Sequence, residues 1–184
     1  MRRATWPRSA RNGPYTCPFG VMRYARVTWQ ALETEAPEIA RLGRERLEAA
    51  RLALIGTLRA DGSPRISPIE PYFAAGALVF GAMAWSRKAH DLQRDPRCVV
   101  HSVVTGPNAG EGELKLYGRA EEADADLREA CLGAWWTERP ETAWVFALRV
   151  DEATFVEWDL AQGQMTTRSW SPERGLRQRR RAYP

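Results

Sequence analysis

The sequence predicts a mainly β protein, an antiparallel β-barrel with peripheral helices. Three features point there. Glu113–Ala120 alternates polar and apolar residues, and Leu52–Leu58 and Ala77–Met83 are short apolar runs bounded by turn signals. An Asp61-Gly62 pair stands between the first two strand-like runs, and this dipeptide is a strong hairpin turn signal. The early runs follow one another at hairpin spacing, which leaves no room for the helical crossovers that parallel strands need. The 184 residues, 44% hydrophobic and 27% charged, suit one compact domain. No apolar run approaches the ~20 residues needed to cross a bilayer.

The elements follow in order. Trp29–Ala53 places Leu32, Ile39, Leu42, Leu47 and Leu52 among Glu and Arg, with Pro37 as a helix-start residue, and reads as one amphipathic helix centred on 36–51. Leu52–Leu58 and Arg65–Phe73 form the first hairpin. Ala75-Gly76 is a second turn, and Ala77–Met83 is a third strand. Pro68 and Pro71 lie within Ser67–Pro71, and neither can donate to a central ladder, so this stretch is an edge, a bulge or a ligand-facing rim. Ser86 caps a short polar helix over 86–94 that stops before Pro96. Cys98–Val104 is a strand, Thr105–Gly112 a turn, and Glu113–Ala120 another strand. A helix is expected over 124–136, with acids at its start, and Thr142–Val150, Thr154–Trp158 and Met165–Trp170 supply three more strands.

Charge divides the chain into three parts. Residues 1–26 carry six arginines and no acid, and residues 174–184 carry five more, leaving 16 basic against 23 acidic groups in 27–173. The expected organisation is a disordered or extended basic leader at 1–26, an acidic folded body at 27–173 and a basic, unpacked C-terminal tail at 174–184. The leader lacks the apolar stretch of an export signal. A footprint for phosphate backbone would have to sit in the tails, so nucleic acid is not the expected partner. Three cysteines, at 17, 98 and 131, form no metal-ligand spacing and fit a reducing, cytoplasmic compartment.

The sequence assigns no catalytic residue and no metal site. GxSxG, HExxH, Walker A and GxGxxG are all absent, and His90 and His101 read as ordinary surface or core histidines. Cys98 and Cys131 sit in apolar patterns and read as small buried hydrophobes. Ser86-Arg87-Lys88 opens a helix, where unpaired N–H groups and two cations would suit an anion, with phosphate the natural ligand. Local spacing alone favours an N-cap and a solvated cationic face.

As a whole the stretch resembles the pyridoxamine 5′-phosphate oxidase-like FMN-binding split barrels. The matching text is Leu-Ile-Gly-Thr-Leu-Arg-Ala-Asp-Gly-Ser-Pro-Arg-Ile-Ser-Pro at 54–68, Ala-Leu-Val-Phe at 77–80, Ser-Arg-Lys-Ala-His-Asp-Leu-Gln-Arg-Asp-Pro-Arg at 86–97 and Leu-Lys-Leu-Tyr-Gly at 114–118. It covers roughly residues 40–160. The resemblance implies a dimeric split barrel with cofactor grooves between protomers. It implies a phosphate clamp of Arg65, Ser86, Arg87 and Lys88, with backbone of Ser67, Pro68 and Ile69 along the flavin ring. Gly81, Ala82 and Met83 would line the same groove, and Glu113 stands where the family has a glutamine.

Glu70 departs from the pattern, because the B6-oxidising members carry a lysine a few residues after the strand-two arginine. The C-terminal arginine and histidine pair of those members is also missing, so vitamin B6 oxidation is not expected. The resemblance implies an FMN-dependent oxidoreductase moving a hydride to or from a small organic substrate. The alternatives are an F420-dependent reductase and a non-enzymatic flavin- or haem-binding module. Eight tryptophans in 184 residues are many for one small core, which fits a homodimer.

Overall fold

Each hairpin of the barrel is closed by the residues its turn demands. The computed structural model describes residues 28–106, 112–131, 134 and 142–183; the expected leader at 1–26 lies outside them. β1 (Ala53–Leu58) pairs antiparallel with β2 (Pro64–Ile69). In their connection Asp61 Oδ1 accepts from Ser63 N at 2.9 Å, and Gly62 takes φ +84. β3 (Pro71–Ala74) and β4 (Ala77–Met83) turn through Ala75 and Gly76, both at positive φ, the two-residue geometry whose twist suits a hairpin.

Around these lie β5 (Arg97–Ser102), β6 (Glu113–Glu122), β7 (Ala143–Asp159), β8 (Gln164–Ser171) and β9 (Gly175–Ala182). The sheet runs β2-β1-β5-β6-β7-β4-β3, with β8 on the distal half of β7 and β9 on β8. All the pairings are antiparallel, as the hairpin spacing predicts. β2 and β3 are the two ends of this path, so the outer edge of β2 stays open. Asp151 is the extra residue of a bulge in β7 opposite Tyr117 and Gly118, and a Cβ at Gly118 would lie 1.9 Å from the Arg149 carbonyl oxygen.

Helices cover the core. α1 (Trp29–Glu35) and α2 (Pro37–Ala50) bury Trp29, Leu32, Ile39 and Leu47 against Leu114, Leu116, Phe155 and Trp170. Trp29 meets Phe73 edge-on at 4.8 Å between centroids. α3 (Arg87–Arg94) packs on β1 and β4, and α4 (Ala125–Glu129) follows β6.

Several expectations are corrected. The single helix through Trp29 is broken at Ala36, at φ −141, because Pro37 lacks an N–H and pushes its predecessor out of the helical region. The second hairpin arm does not run on to Phe73. It ends at Ile69, and β3 leaves β1 to pair with β4. The two strands expected at 142–158 are one 17-residue strand. Of the helix expected at 124–136, Ala125–Glu129 is helical, and residues 132, 133 and 135–141 lie outside the described residues.

The tail expected to be unpacked is strand β9, whose residues Gly175–Ala182 align one by one with Gln164–Ser171. Arg174 Nη2 also reaches Glu152 Oε2 at 2.6 Å. Removing residues 175–184 should therefore leave β8 as a bare edge. The expected result is a lower melting temperature and concentration-dependent self-association, read by calorimetry and light scattering.

Candidate functional site

The N-terminus of α3 is set by one buried carboxylate. Ser86 adopts the extended N-cap conformation, and its Oγ accepts from Ala89 N at 3.4 Å. Ala89, Asp91 and Leu92 face inward, while Arg87 and His90 face out. Asp91 is 4% exposed and accepts from Thr57 Oγ1 at 3.0 Å, Arg65 Nε at 2.6 Å and Arg94 Nη2 at 3.1 Å. Burial pushes its carboxyl up, but the donors from Arg65, Arg94 and Thr57 outweigh burial and hold it below the usual carboxylate range. The ion pair with Arg65 aims that guanidinium along the face of α3.

Opposite α3 lies the open edge of β2. Arg59 N donates to Ser63 O at 2.9 Å, so by alternation Arg65, Ser67 and Ile69 pair with β1, and Pro64, Ile66 and Pro68 turn their backbone outward. Two of those three are prolines, so Ile66 supplies the one outward N–H between residues 64 and 69. Lys88 Nζ donates to the outward carbonyl of Pro68 and spans the gap from α3 to β2. Burial lowers the pKa of Lys88, against a smaller opposing pull from Glu70.

Two clefts meet along this edge. The first, about 590 Å³, is lined by Arg65, Ser67, Pro68, Ser86, Arg87 and Lys88, among others. The second, about 450 Å³, is lined by Pro68, Ile69, Gly81, Ala82, Met83 and Lys88, among others. They share Pro68, Ser86 and Lys88 and so form one groove with a cationic end and a more apolar end. Glu70 lines the second cleft and not the first, and its charge acts on Lys88, which borders both. The chain thus gathers ten of the eleven residues expected at the cofactor.

Glu113 is the exception. It sits on β6, separated from β2 by β1 and β5, and bonds Lys115 Nζ while lying 3.4 Å from His101 Nε2. Within one chain it cannot reach the groove. His101 Nδ1 lies 2.6 Å from Ser102 O, and His90 is on α3. Burial pushes the Cys98 thiol up to about 12 and also raises that of Cys131, which makes both poor nucleophiles. Asp91 was not among the residues the sequence singles out. Its signal is an acid flanked by the apolar Ala89 and Leu92 on the inward side of a cationic helix.

The family model described as pyridoxamine 5′-phosphate oxidase matches residues 42–161, about two thirds of the chain. The chain belongs to the pyridoxamine 5′-phosphate oxidase family. The fold agrees with solved structures of this type. PhzG from Burkholderia lata, in complex with tetrahydrophenazine-1-carboxylic acid, is 12% identical with a TM-score of 0.56, over 83% of this chain and 92% of that one. A pyridoxamine 5′-phosphate oxidase-related, FMN-binding protein from Nostoc punctiforme is 14% identical with a TM-score of 0.52, over 81% and 96%. A haem-binding protein from Mycobacterium smegmatis is 18% identical with a TM-score of 0.54, over 79% and 88%. At these identities they share the fold alone. No curated protein matches the chain.

Asp91→Asn should destabilise the protein by about 1.5–3 kcal/mol, the range for hydrogen bonds to a charged group. The depressed carboxyl contributes its stability fully above an unfolded-state pKa of about 3.9 and loses it as pH falls through the lower folded-state value. Urea unfolding across acidic pH should therefore show a steeper acid loss in the wild type than in the variant.

Proposed function

We propose that the protein is a cytoplasmic, FMN-dependent oxidoreductase, acting as a homodimer on a small organic substrate. The observation that carries this reading is the convergence of Arg65, Ser86, Arg87 and Lys88 on one cleft that continues into a second, more apolar one. The donor set suits FMN. Three cations and a helix N-terminus match a phosphate dianion, and the Ile66 N–H with the Pro64 and Ile66 carbonyls offers partners to polar ring edges. When bound, the flavin supplies the atoms that accept or release hydride. Arg65 and Lys88 would hold the phosphate, and the buried Gly81 and Ala82 would keep water from one side of the ring.

The dimer reading rests on a second observation. Ile66 is 72% exposed and Tyr117 44% exposed, and the registers Ile66↔Gly56, Gly56↔Val99 and Val99↔Tyr117 place them in one apolar row across four strands. Glu113 falls on the same face by alternation, so its reach to a cofactor would be across the dimer. The missing lysine at Glu70 argues against vitamin B6 as substrate.

The absorbance spectrum of the purified protein, followed by mass spectrometry of the released ligand, tests the cofactor. A flavin spectrum is expected; a haem spectrum would overturn the reading. Lys88→Ala should weaken FMN binding by about 1.5–3 kcal/mol, with Lys88→Arg restoring part. Because burial lowers the Lys88 pKa, wild-type affinity should fall with rising pH before the ordinary lysine range near 10.4, and in Lys88→Arg this loss should disappear. Ile66→Glu should convert a dimer to a monomer in gel filtration; an unaltered elution volume would sink the interface.

A further inference from the structure

The eight residues of β9 include Arg177, Arg179, Arg180 and Arg181, and no acid occurs between Arg174 and Pro184. All four arginines are exposed, and their side chains hold no ion pair among the described residues. Register divides them between the two faces of the sheet. Leu176 stands opposite the buried Trp170, so Leu176, Gln178 and Arg180 take the face toward α2, and Arg177, Arg179 and Arg181 take the other. On that outer face the three arginines stand opposite Ser169, Thr167 and Met165 of β8, which stand opposite Thr154, Val156 and Trp158 of β7. None of these six neighbours is charged. The acids of the same face, Glu113 and Glu152, lie farther off and are taken by Lys115 and Arg174. Glu157 alternates to the α2 face, where it bonds Arg168.

Three guanidinium groups are thus held in a row along an open edge, about 7 Å apart because every second residue of a strand rises that far. Protecting an edge requires charge of either sign. Three charges of one sign on one face, with no acid beside them, also make a line of positive potential. Each guanidinium can grip a phosphate through two parallel N–H groups, and an evenly spaced row fits an anion that repeats. A nucleic-acid backbone repeats one negative charge on every nucleotide. The hydroxyls of Ser169 and Thr167 lie next to the row, placed for sugar and phosphate oxygens. Trp158 is half-buried, lies outside the core clusters and stands two strands, about 10 Å, from Arg181 with Met165 between them. Its indole offers a base a flat surface on which to stack. We infer that the outer face of β8 and β9 binds single-stranded nucleic acid, the backbone running along Arg177, Arg179 and Arg181 and a base covering Trp158. A duplex keeps its bases stacked inside and would leave Trp158 unused. The surface is separate from the cofactor groove, whose two clefts none of the three arginines lines, and it stands three strands beyond Tyr117. It revises the expectation drawn from composition, because an unpacked tail has no fixed spacing of charge and β9 has one.

The test is titration of the full-length protein with a short labelled oligo(dT), a duplex of equal length and vesicles of phosphatidylcholine with phosphatidylserine, each across a range of salt. Oligo(dT) should bind most tightly, with log affinity falling against log salt at a slope of about −2, the value for three phosphates at about −0.7 each. The triple variant Arg177→Gln/Arg179→Gln/Arg181→Gln should keep its FMN affinity, lose about tenfold or more in oligo(dT) affinity at low salt and show a nearly flat slope. Replacing the same three arginines by lysine keeps the charge on the edge, and it should restore the slope and part of the affinity. Trp158→Ala should weaken oligo(dT) binding about fivefold or more without changing the slope, and Trp158→Phe should recover part of the loss. No binding of oligo(dT) at low salt overturns the site. Equal binding by wild type and the glutamine variant also overturns it and assigns the affinity to another cationic segment, such as residues 1–26. Tighter binding of the duplex or of the vesicles, or an unchanged affinity in Trp158→Ala, overturns a single strand as the occupant.

Discussion

The groove depends on Asp91. A carboxylate this buried is costly unless its lone pairs are filled, and here a hydroxyl from β1, a guanidinium from β2 and another from its own helix fill them. Those contacts tie α3 to the first hairpin at a fixed height. Ser86, Arg87 and Lys88 then face Pro64–Pro68 across a gap that Lys88 spans to the Pro68 carbonyl. Arg65 gains direction from the same interaction, since one edge of its guanidinium is occupied and the side chain is only 21% exposed. Clamp and scaffold are thus one network, and a change at Asp91 acts on both.

The open edge of β2 is the complementary constraint. An unpaired strand edge invites another strand, and Pro64 and Pro68 remove two of its three outward donors. The same substitution of ring for N–H leaves carbonyls along the groove, one of which Lys88 takes. Edge protection and site construction therefore use the same residues. Glu70 follows this strand and reverses the charge pattern, so the groove is cationic at α3 and mixed beyond Pro68.

Charge segregation along the chain has a structural counterpart. The arginines after residue 174 stand on an edge strand, where charged side chains discourage strand addition. Arg168 bonds both Glu38 and Glu157, linking β8 to α2 and β7, and Arg174 meets Glu152. Each exposed pair contributes little by itself, but together they join the basic end to the acidic body. The split into acidic body and basic end describes composition, and the fold does not respect it.

What the sequence determined by itself was local. Gly62 and Gly76 favour turns because glycine readily takes the positive φ each adopts, and the Asp61 carboxylate accepts from Ser63 N. Ser86 caps α3 because its hydroxyl reaches the next turn, and the prolines of Ser67–Pro71 exclude a central strand. The motif run from Leu54 to Gly118 carried the family and most of the groove, since those residues lie on consecutive elements. Tertiary structure decided the rest. β3 leaves β1 for β4, and the arginine-rich end becomes β9 because β8 offers it an edge. Glu113 is carried away from the groove by two intervening strands. Thr57, Arg65 and Asp91 meet although 34 residues separate the first from the last. Turns and caps are settled by neighbours within four residues, whereas strand partners and buried charge networks depend on which distant surfaces close around them.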